Sequence, residues 1–169
     1  RLRQSDNPLG WFMGQVWDRW RDRPFWASQQ VLHHVAEHSD AVLYLVSAAE
    51  EPAAAGYVAS EIDLVTWVGK PVIVLLNQLG VPREPAVEQA EIELWRQHLA
   101  PWPMVADVLP LDAFARCWVQ EFVLLDAIEA ALPAARRAPM QRLAALWRTQ
   151  RLATYEASVD VLAQSMAAL

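Results

Sequence analysis

Two carboxamide side chains follow the most apolar stretch of the sequence. Residues 72–76 are five consecutive apolar residues, VIVLL, a pattern typical of a strand that is buried on both faces of a parallel sheet. Asn77 and Gln78 come directly after this strand, and Gly80 ends the tetrapeptide NQLG. In parallel α/β sheets, the loops that leave the carboxyl ends of the strands carry the ligand contacts. NQLG is therefore the first candidate for a ligand-binding loop.

The sequence contains no complete catalytic motif. A phosphate-binding loop requires G-x-x-x-x-G-K-[ST]. Lys70 does follow Gly69, but Pro71 stands where a hydroxyl residue is required, and Leu64 stands where the first glycine is required. The dinucleotide fingerprint G-x-G-x-x-G and the hydrolase motif G-x-S-x-G are also absent from the 169 residues. We therefore interpret Gly69 and Lys70 as a helix end and assign no catalytic residue.

Two weaker clusters could contact a metal ion or a ligand. His34 and His38 lie one helical turn apart with Glu37 beside them, so a helix could direct two imidazoles at one metal. No third ligand is evident, and we favour a solvated helix end. Glu50 and Glu51 follow an apolar run and could face a ligand, but a solvated loop is the favoured interpretation for them too.

The composition describes a folded, acidic protein. With 169 residues, 54% of them hydrophobic, the chain suits one domain with a substantial core. A net charge of -6 and a single lysine, Lys70, argue against a nucleic-acid-binding surface, which needs clustered cations. The only cysteine, Cys117, excludes an internal disulfide and fits a reducing compartment. Since no apolar run approaches the ~20 residues that cross a bilayer, we expect a cytoplasmic protein.

Hydrophobic periodicity predicts strands that alternate with helices. We expect strands at residues 41–47, 72–76 and 104–110, and helices at residues 24–38, 57–68, 86–99 and from about 118 to 132. In the helix at 86–99, we expect Val87, Ala90 and Leu94 to face inward. The alternation implies parallel strands joined by right-handed crossovers, so the predicted fold class is α/β, a three-layer sandwich with a parallel sheet. Three strands make a small sheet, which suggests that the first half of the domain lies outside this sequence.

Both ends of the chain carry apolar helical patterns. Met13, Val16, Trp17 and Trp20 recur at helical spacing in an aromatic helix predicted at 11–21. We favour packing of this stripe against its own domain, and its alternative is a contact with a protein partner or a membrane surface. Near the other end, apolar residues repeat at intervals of three and four and predict an apolar seam for another helix: Leu152, Tyr155, Val159, Leu162, Met166 and Leu169. This seam could pack on the sheet domain, on another domain or on another subunit.

Four segments together resemble a known family. They are DNPLG at 6–10, SDAVLYLVSAAEEP at 39–52, GKPVIVLLNQLG at 69–80 and VADVLPLDAF at 105–114. Their succession is similar to the second half of the G domain in Era-like, translation-factor-class GTPases, especially divergent bacterial members with a helical domain after the G domain. The resemblance covers roughly residues 5–133. It implies a partial, P-loop NTPase-like domain at 1–133 and a C-terminal helical extension at 134–169.

The resemblance also assigns roles to residues near the base of a bound nucleotide. The family's base-recognition motif, N-K-x-D, falls on NQLG, where Asn77 matches, Gln78 replaces the lysine and Gly80 replaces the aspartate. In the family that aspartate accepts hydrogen bonds from guanine N1 and N2, so Gly80 removes an acceptor on which discrimination depends. The family's last base-contacting loop contains Asp112, which either compensates for Gly80 or caps the next helix.

The resemblance further implies a nucleotide-controlled activity. The family's switch II motif, D-x-x-G, is matched by Asp6 and Gly10 with one extra residue between them. Asp6 would hold magnesium through water, and the amide of Gly10 would sense the γ-phosphate. The full-length protein is then expected to be a GTP-binding, GTP-hydrolysing molecular switch that uses GTP, GDP and magnesium.

This chain alone is expected to be inactive and to hold no cofactor, because it lacks the phosphate-binding loop and switch I. The alternative to a switch is a non-catalytic, G-domain-like interaction module. Such a module would bind a protein partner or a membrane surface through the aromatic stripe, and its location would then be peripheral to the membrane.

Overall fold

The computed structural model describes residues 23–112 and 118–168. The predicted aromatic helix at 11–21, with Met13, Val16, Trp17 and Trp20, lies outside the described residues, as do Asp6 and Gly10. The chain divides into two compact units, Arg1–Phe114 and Ala115–Leu169. This division falls earlier in the chain than the domain boundary predicted after residue 133.

The first unit is an α/β structure with a parallel sheet. Its described elements are α1 (Arg23–His38), β1 (Val42–Ser47), α2 (Gly56–Val68), β2 (Val72–Asn77), α3 (Pro85–Leu99) and β3 (Val105–Pro110). The strand order is β1-β2-β3, and both strand pairs are parallel. The predicted α/β class, the parallel sheet and the central position of β2 are confirmed.

The register of the sheet aligns the carboxyl ends of all three strands. Ser47 of β1 lies opposite Asn77 of β2. On the other side of β2, the register with β3 shifts between Val72 and Ile73, after which Leu76 lies opposite Pro110. The loops that follow β1, β2 and β3 therefore leave the sheet at one edge.

The core of this unit lies between one face of the sheet and helices α2 and α3. Val72, Val74 and Leu76 of β2 are completely buried there. Helix α2 contributes its predicted stripe, with Val58, Ile62 and Val68 buried. Ile73 and Leu75, on the other face of β2, are buried as well. Burial on both faces explains why the strand is continuously apolar rather than alternating.

The inward face of α3 differs from the predicted one. Ile92, Trp95 and Leu99 are the buried residues of this helix. The predicted residues, Val87, Ala90 and Leu94, are all exposed. Residues at intervals of three and four form one stripe, and position 94 lies about 200° around the helix from position 92. Trp95 decides the orientation, because it has more apolar surface to bury than any other residue of the helix.

Helix α2 ends at the residue predicted from the sequence. Gly69 has φ 73°, and its N–H donates to the Thr66 carbonyl at 3.0 Å. This left-handed conformation suits glycine, which has no Cβ to clash. The interpretation of Gly69 as a helix end rather than part of a phosphate-binding loop is consistent with this geometry.

Tyr44 of β1 gives the sheet unit a testable dependence on pH. Its hydroxyl donates to Glu61 Oε2 of α2 at 2.6 Å, and burial, then this hydrogen bond, raises the pKa of Tyr44 above its ordinary value. In the unfolded chain a tyrosine ionises near pH ~10. The stabilisation is therefore complete below about pH 10 and is lost as the pH rises towards the folded pKa.

We expect Tyr44→Phe to flatten the loss of unfolding free energy between about pH 9 and pH 11, because phenylalanine cannot ionise. Urea denaturation of both proteins across this range measures the effect. Parallel pH profiles would show that Tyr44 does not carry the pH dependence.

The second unit is a pair of helices, α4 (Trp118–Ala131) and α5 (Ala134–Ala167). Glu121 of α4 joins the two: its carboxylate accepts from Trp147 Nε1 at 2.9 Å and from Arg151 Nε at 3.0 Å. Arg148 also reaches α4 through an ion pair with Asp126. Arg148 and Arg151 of α5 thus both pair with carboxylates of α4. Of the helices in residues 23–112 and 118–168, none is both long and apolar enough to span a bilayer.

Candidate functional site

The candidate site is the sheet edge at which β1, β2 and β3 end. Backbone hydrogen bonds continue past the strands: the Ala48 N–H donates to the Asn77 carbonyl at 2.7 Å, and the Leu111 N–H donates to the Leu76 carbonyl at 3.0 Å. These bonds bring the beginnings of three loops side by side. Asn77, the last residue of β2, is half-buried between them. The predicted ligand-binding loop therefore lies in the middle of the edge.

Asp112 holds the NQLG loop in place. Its Oδ2 accepts a hydrogen bond from the backbone N–H of Leu79 at 2.9 Å, across 33 positions of sequence. Asp112 is only 6% exposed. A carboxylate that accepts a backbone N–H makes a charge-assisted hydrogen bond, which is stronger than a neutral one. This contact was not among the roles that sequence analysis gave Asp112, and it makes Asp112 a positioning residue for the loop.

A second contact fixes the side chain of Gln78. The Ser47 hydroxyl donates to Gln78 Oε1 at 2.7 Å, which ties the end of β1 to the loop after β2. Gln78 is itself exposed, and its amide nitrogen carries two hydrogen-bond donors. A ligand group that accepts hydrogen bonds is the chemistry that this side chain suits.

The backbone of the loop turns through the left-handed region twice. Gln78 has φ 60° and Gly80 has φ 79°. For glutamine this conformation costs roughly 1–2 kcal/mol, whereas glycine adopts it freely. Gly80 therefore permits this turn without strain. The hydrogen bonds of the Leu79 N–H and of the Gln78 side chain stabilise this turn and so offset the strain at Gln78.

The histidines considered as metal ligands lie on α1. His34 and His38 stack edge to face, with ring centroids 4.8 Å apart, and His33 lies 3.3 Å from Glu37 on the same helix. Within the described residues no group of three or more His, Cys, Asp or Glu could hold a metal ion. Asp6, proposed for magnesium, lies outside those residues.

A cavity of about 640 Å³ lies beside the first loop of this edge. The loop that follows β1, including Glu50 and Glu51, forms one wall, and Leu94, Trp95 and His98 of α3 form the other. Sequence analysis noted the two glutamates but could not place them opposite α3. Glu91 also lines the cavity, and it forms an ion pair with Arg83. This pair balances part of the negative charge of the cavity wall.

Sequence analysis missed Ser47, and it included Leu79 in the NQLG loop without a role for its backbone N–H. Ser47 closes a strand and resembles any polar strand end, and Leu79 contributes only its backbone N–H. The one available signal was position: both lie at the carboxyl end of parallel strands, where loops meet.

Comparison of the chain with protein-family models, with curated proteins and with solved structures gives no match. Its function must therefore be inferred from the geometry of the site.

Proposed function

We propose that this chain supplies the base side of the nucleotide site in a GTP-binding, GTP-hydrolysing molecular switch. In this proposal the α/β unit is part of a three-layer, P-loop NTPase-like domain, and the helices that follow are its C-terminal extension. The observation that supports it best is the fixed NQLG loop at the carboxyl end of the central strand. The end of β1 contacts this loop through Ser47, and the segment after β3 contacts it through Asp112.

In this proposal each residue of the edge has a separate role in nucleotide binding. Asn77 contacts the base, and Gln78 donates to an acceptor on the ligand. Asp112 holds the loop, because its Oδ2 accepts from the Leu79 N–H. Asp6 and Gly10 would serve magnesium and the γ-phosphate. The phosphates need a binding loop that the 169 residues do not contain.

A titration with fluorescent GTP, GDP and ATP tests the proposal. The chain alone is expected to bind none of them tightly, while a longer polypeptide that includes its flanking sequence binds GTP and GDP. In that polypeptide Asn77→Ala should weaken binding by about tenfold at most, the value of one hydrogen bond. Failure of every nucleotide to bind the longer polypeptide would contradict the proposal.

A non-catalytic interaction module is the second candidate, and exposed apolar residues of β1 favour it. Leu43 and Leu45 share one face of this strand, and Leu45 is 59% exposed. Parallel sheets normally have both faces covered, so this face would suit a protein partner. The same titration separates the two candidates, because a module of this kind binds none of the three nucleotides.

A further inference from the structure

The second half of α5 carries an exposed apolar stripe. Its members are 43–67% exposed and repeat at intervals of three and four: Leu152, Tyr155, Val159, Leu162 and Met166. This alternation is the heptad spacing of a seam between helices. Single exposed apolar residues are normal, but five on one continuous stripe mark an interaction surface.

The stripe continues the face of α5 that already binds a helix. Ala144 is buried, and Trp147 and Arg151 contact Glu121 near the start of α4. Positions 144, 147 and 151 lead in steps of three and four to 155, 159 and 162. Helix α4 has 14 residues and α5 has 34, which correspond to about 21 Å and 51 Å of length. The cover that α4 provides therefore ends near Arg151.

The charge of this overhang disfavours a lipid surface as its cover. Residues 152–167 contain no lysine or arginine, and they contain two acidic residues, Glu156 and Asp160. Helices that lie on membranes carry cations on their polar face, which anionic lipids attract. An apolar stripe with this spacing suits the face of another helix with the same spacing.

We propose that the overhang, residues 152–167, pairs in antiparallel orientation with the same segment of a second copy of this chain. Each overhang has 16 residues and a length of about 24 Å, so two of them cover each other over their whole length. Both copies of α4 then lie beyond the two ends of the paired region. The face of α5 is covered first by its own α4 and then by the second copy.

The proposed contact is isologous, which is the commonest symmetry of soluble dimers. Pairing by heptad position sets Val159 opposite Leu162 of the partner subunit, and Tyr155 opposite Met166 of the partner subunit. A methionine sulfur beside an aromatic ring makes a favourable contact. The five residues of the stripe, from Leu152 to Met166, are all uncharged.

Sedimentation equilibrium of the chain over about 1–200 μM tests the proposal. We expect a concentration-dependent dimer whose dissociation constant rises by about a hundredfold or more in Val159→Asp, because a carboxylate would be buried in the seam. Val161→Asp is the matched control: Val161 is 65% exposed and lies off the stripe. A wild-type monomer throughout this range, or equal damage from the two variants, would overturn the proposal.

Cross-linking tests the orientation separately. Tyr155→Cys and Met166→Cys proteins, each also carrying Cys117→Ser, are mixed and treated with a short thiol cross-linker. Antiparallel pairing predicts that the cross-linked dimer contains one copy of each variant. Cross-linked pairs of identical variants in the separate samples would overturn the antiparallel arrangement.

Discussion

Replacing Leu76 with alanine is expected to lower the free energy of unfolding by about 2–5 kcal/mol. Leu76 is completely buried in the core that β2 forms with α2 and α3. Truncation of its side chain removes buried apolar surface and leaves a cavity that the tightly packed neighbours fill only in part. Urea denaturation followed by circular dichroism measures the change.

Leu45→Ala is the matched control for this experiment. It makes the same substitution one strand away, in β1, at a side chain that is 59% exposed. We expect it to change the unfolding free energy by no more than about 0.5 kcal/mol. If Leu76→Ala were no more damaging than Leu45→Ala, β2 would not be the centre of the core.

Asp112→Ala is expected to lower the free energy of unfolding by about 1–3 kcal/mol. The substitution removes the carboxylate that accepts the Leu79 N–H and leaves that donor without its acceptor. The loop also loses one of the hydrogen bonds that offset the strain of the left-handed conformation at Gln78. Denaturation measures the stability, and hydrogen exchange at the Leu79 amide measures the local loosening.

Asp112→Asn separates the hydrogen bond from the volume of the side chain. Asparagine has nearly the same size and keeps one carbonyl acceptor, so exchange at Leu79 should be slower than in Asp112→Ala. Unchanged exchange at Leu79 in Asp112→Ala would contradict the role of Asp112 in holding the loop.

The sequence was sufficient for the order and type of the elements in the sheet unit. The continuous apolar run at 72–76 predicted the fully buried central strand, which spans Val72–Asn77. The pattern at 57–68 predicted α2 to within one residue, Gly56–Val68, since a glycine and a proline follow its end. Strong periodicity and helix-ending residues are local signals, and local signals can be read without the fold.

Contacts between residues far apart in the sequence could not be predicted from local sequence patterns. Nothing near Asp112 indicates that its carboxylate accepts from Leu79, because the partner is a backbone N–H that every leucine carries. The predicted inward face of α3 was wrong, because Ile92, Trp95 and Leu99 are its buried residues. Both features depend on how distant elements pack in the folded unit, and local sequence patterns do not determine that packing.

The most direct test of the proposed site is the response of the NQLG backbone to a nucleotide. In a longer polypeptide that includes this chain, GDP is added while the amide signals of Gln78, Leu79 and Gly80 are followed by NMR. If this loop contacts the base, all three signals shift with one common dissociation constant, and Asp112→Ala weakens that binding. GDP binding that leaves all three signals unmoved would contradict the assignment of NQLG as the base-side loop.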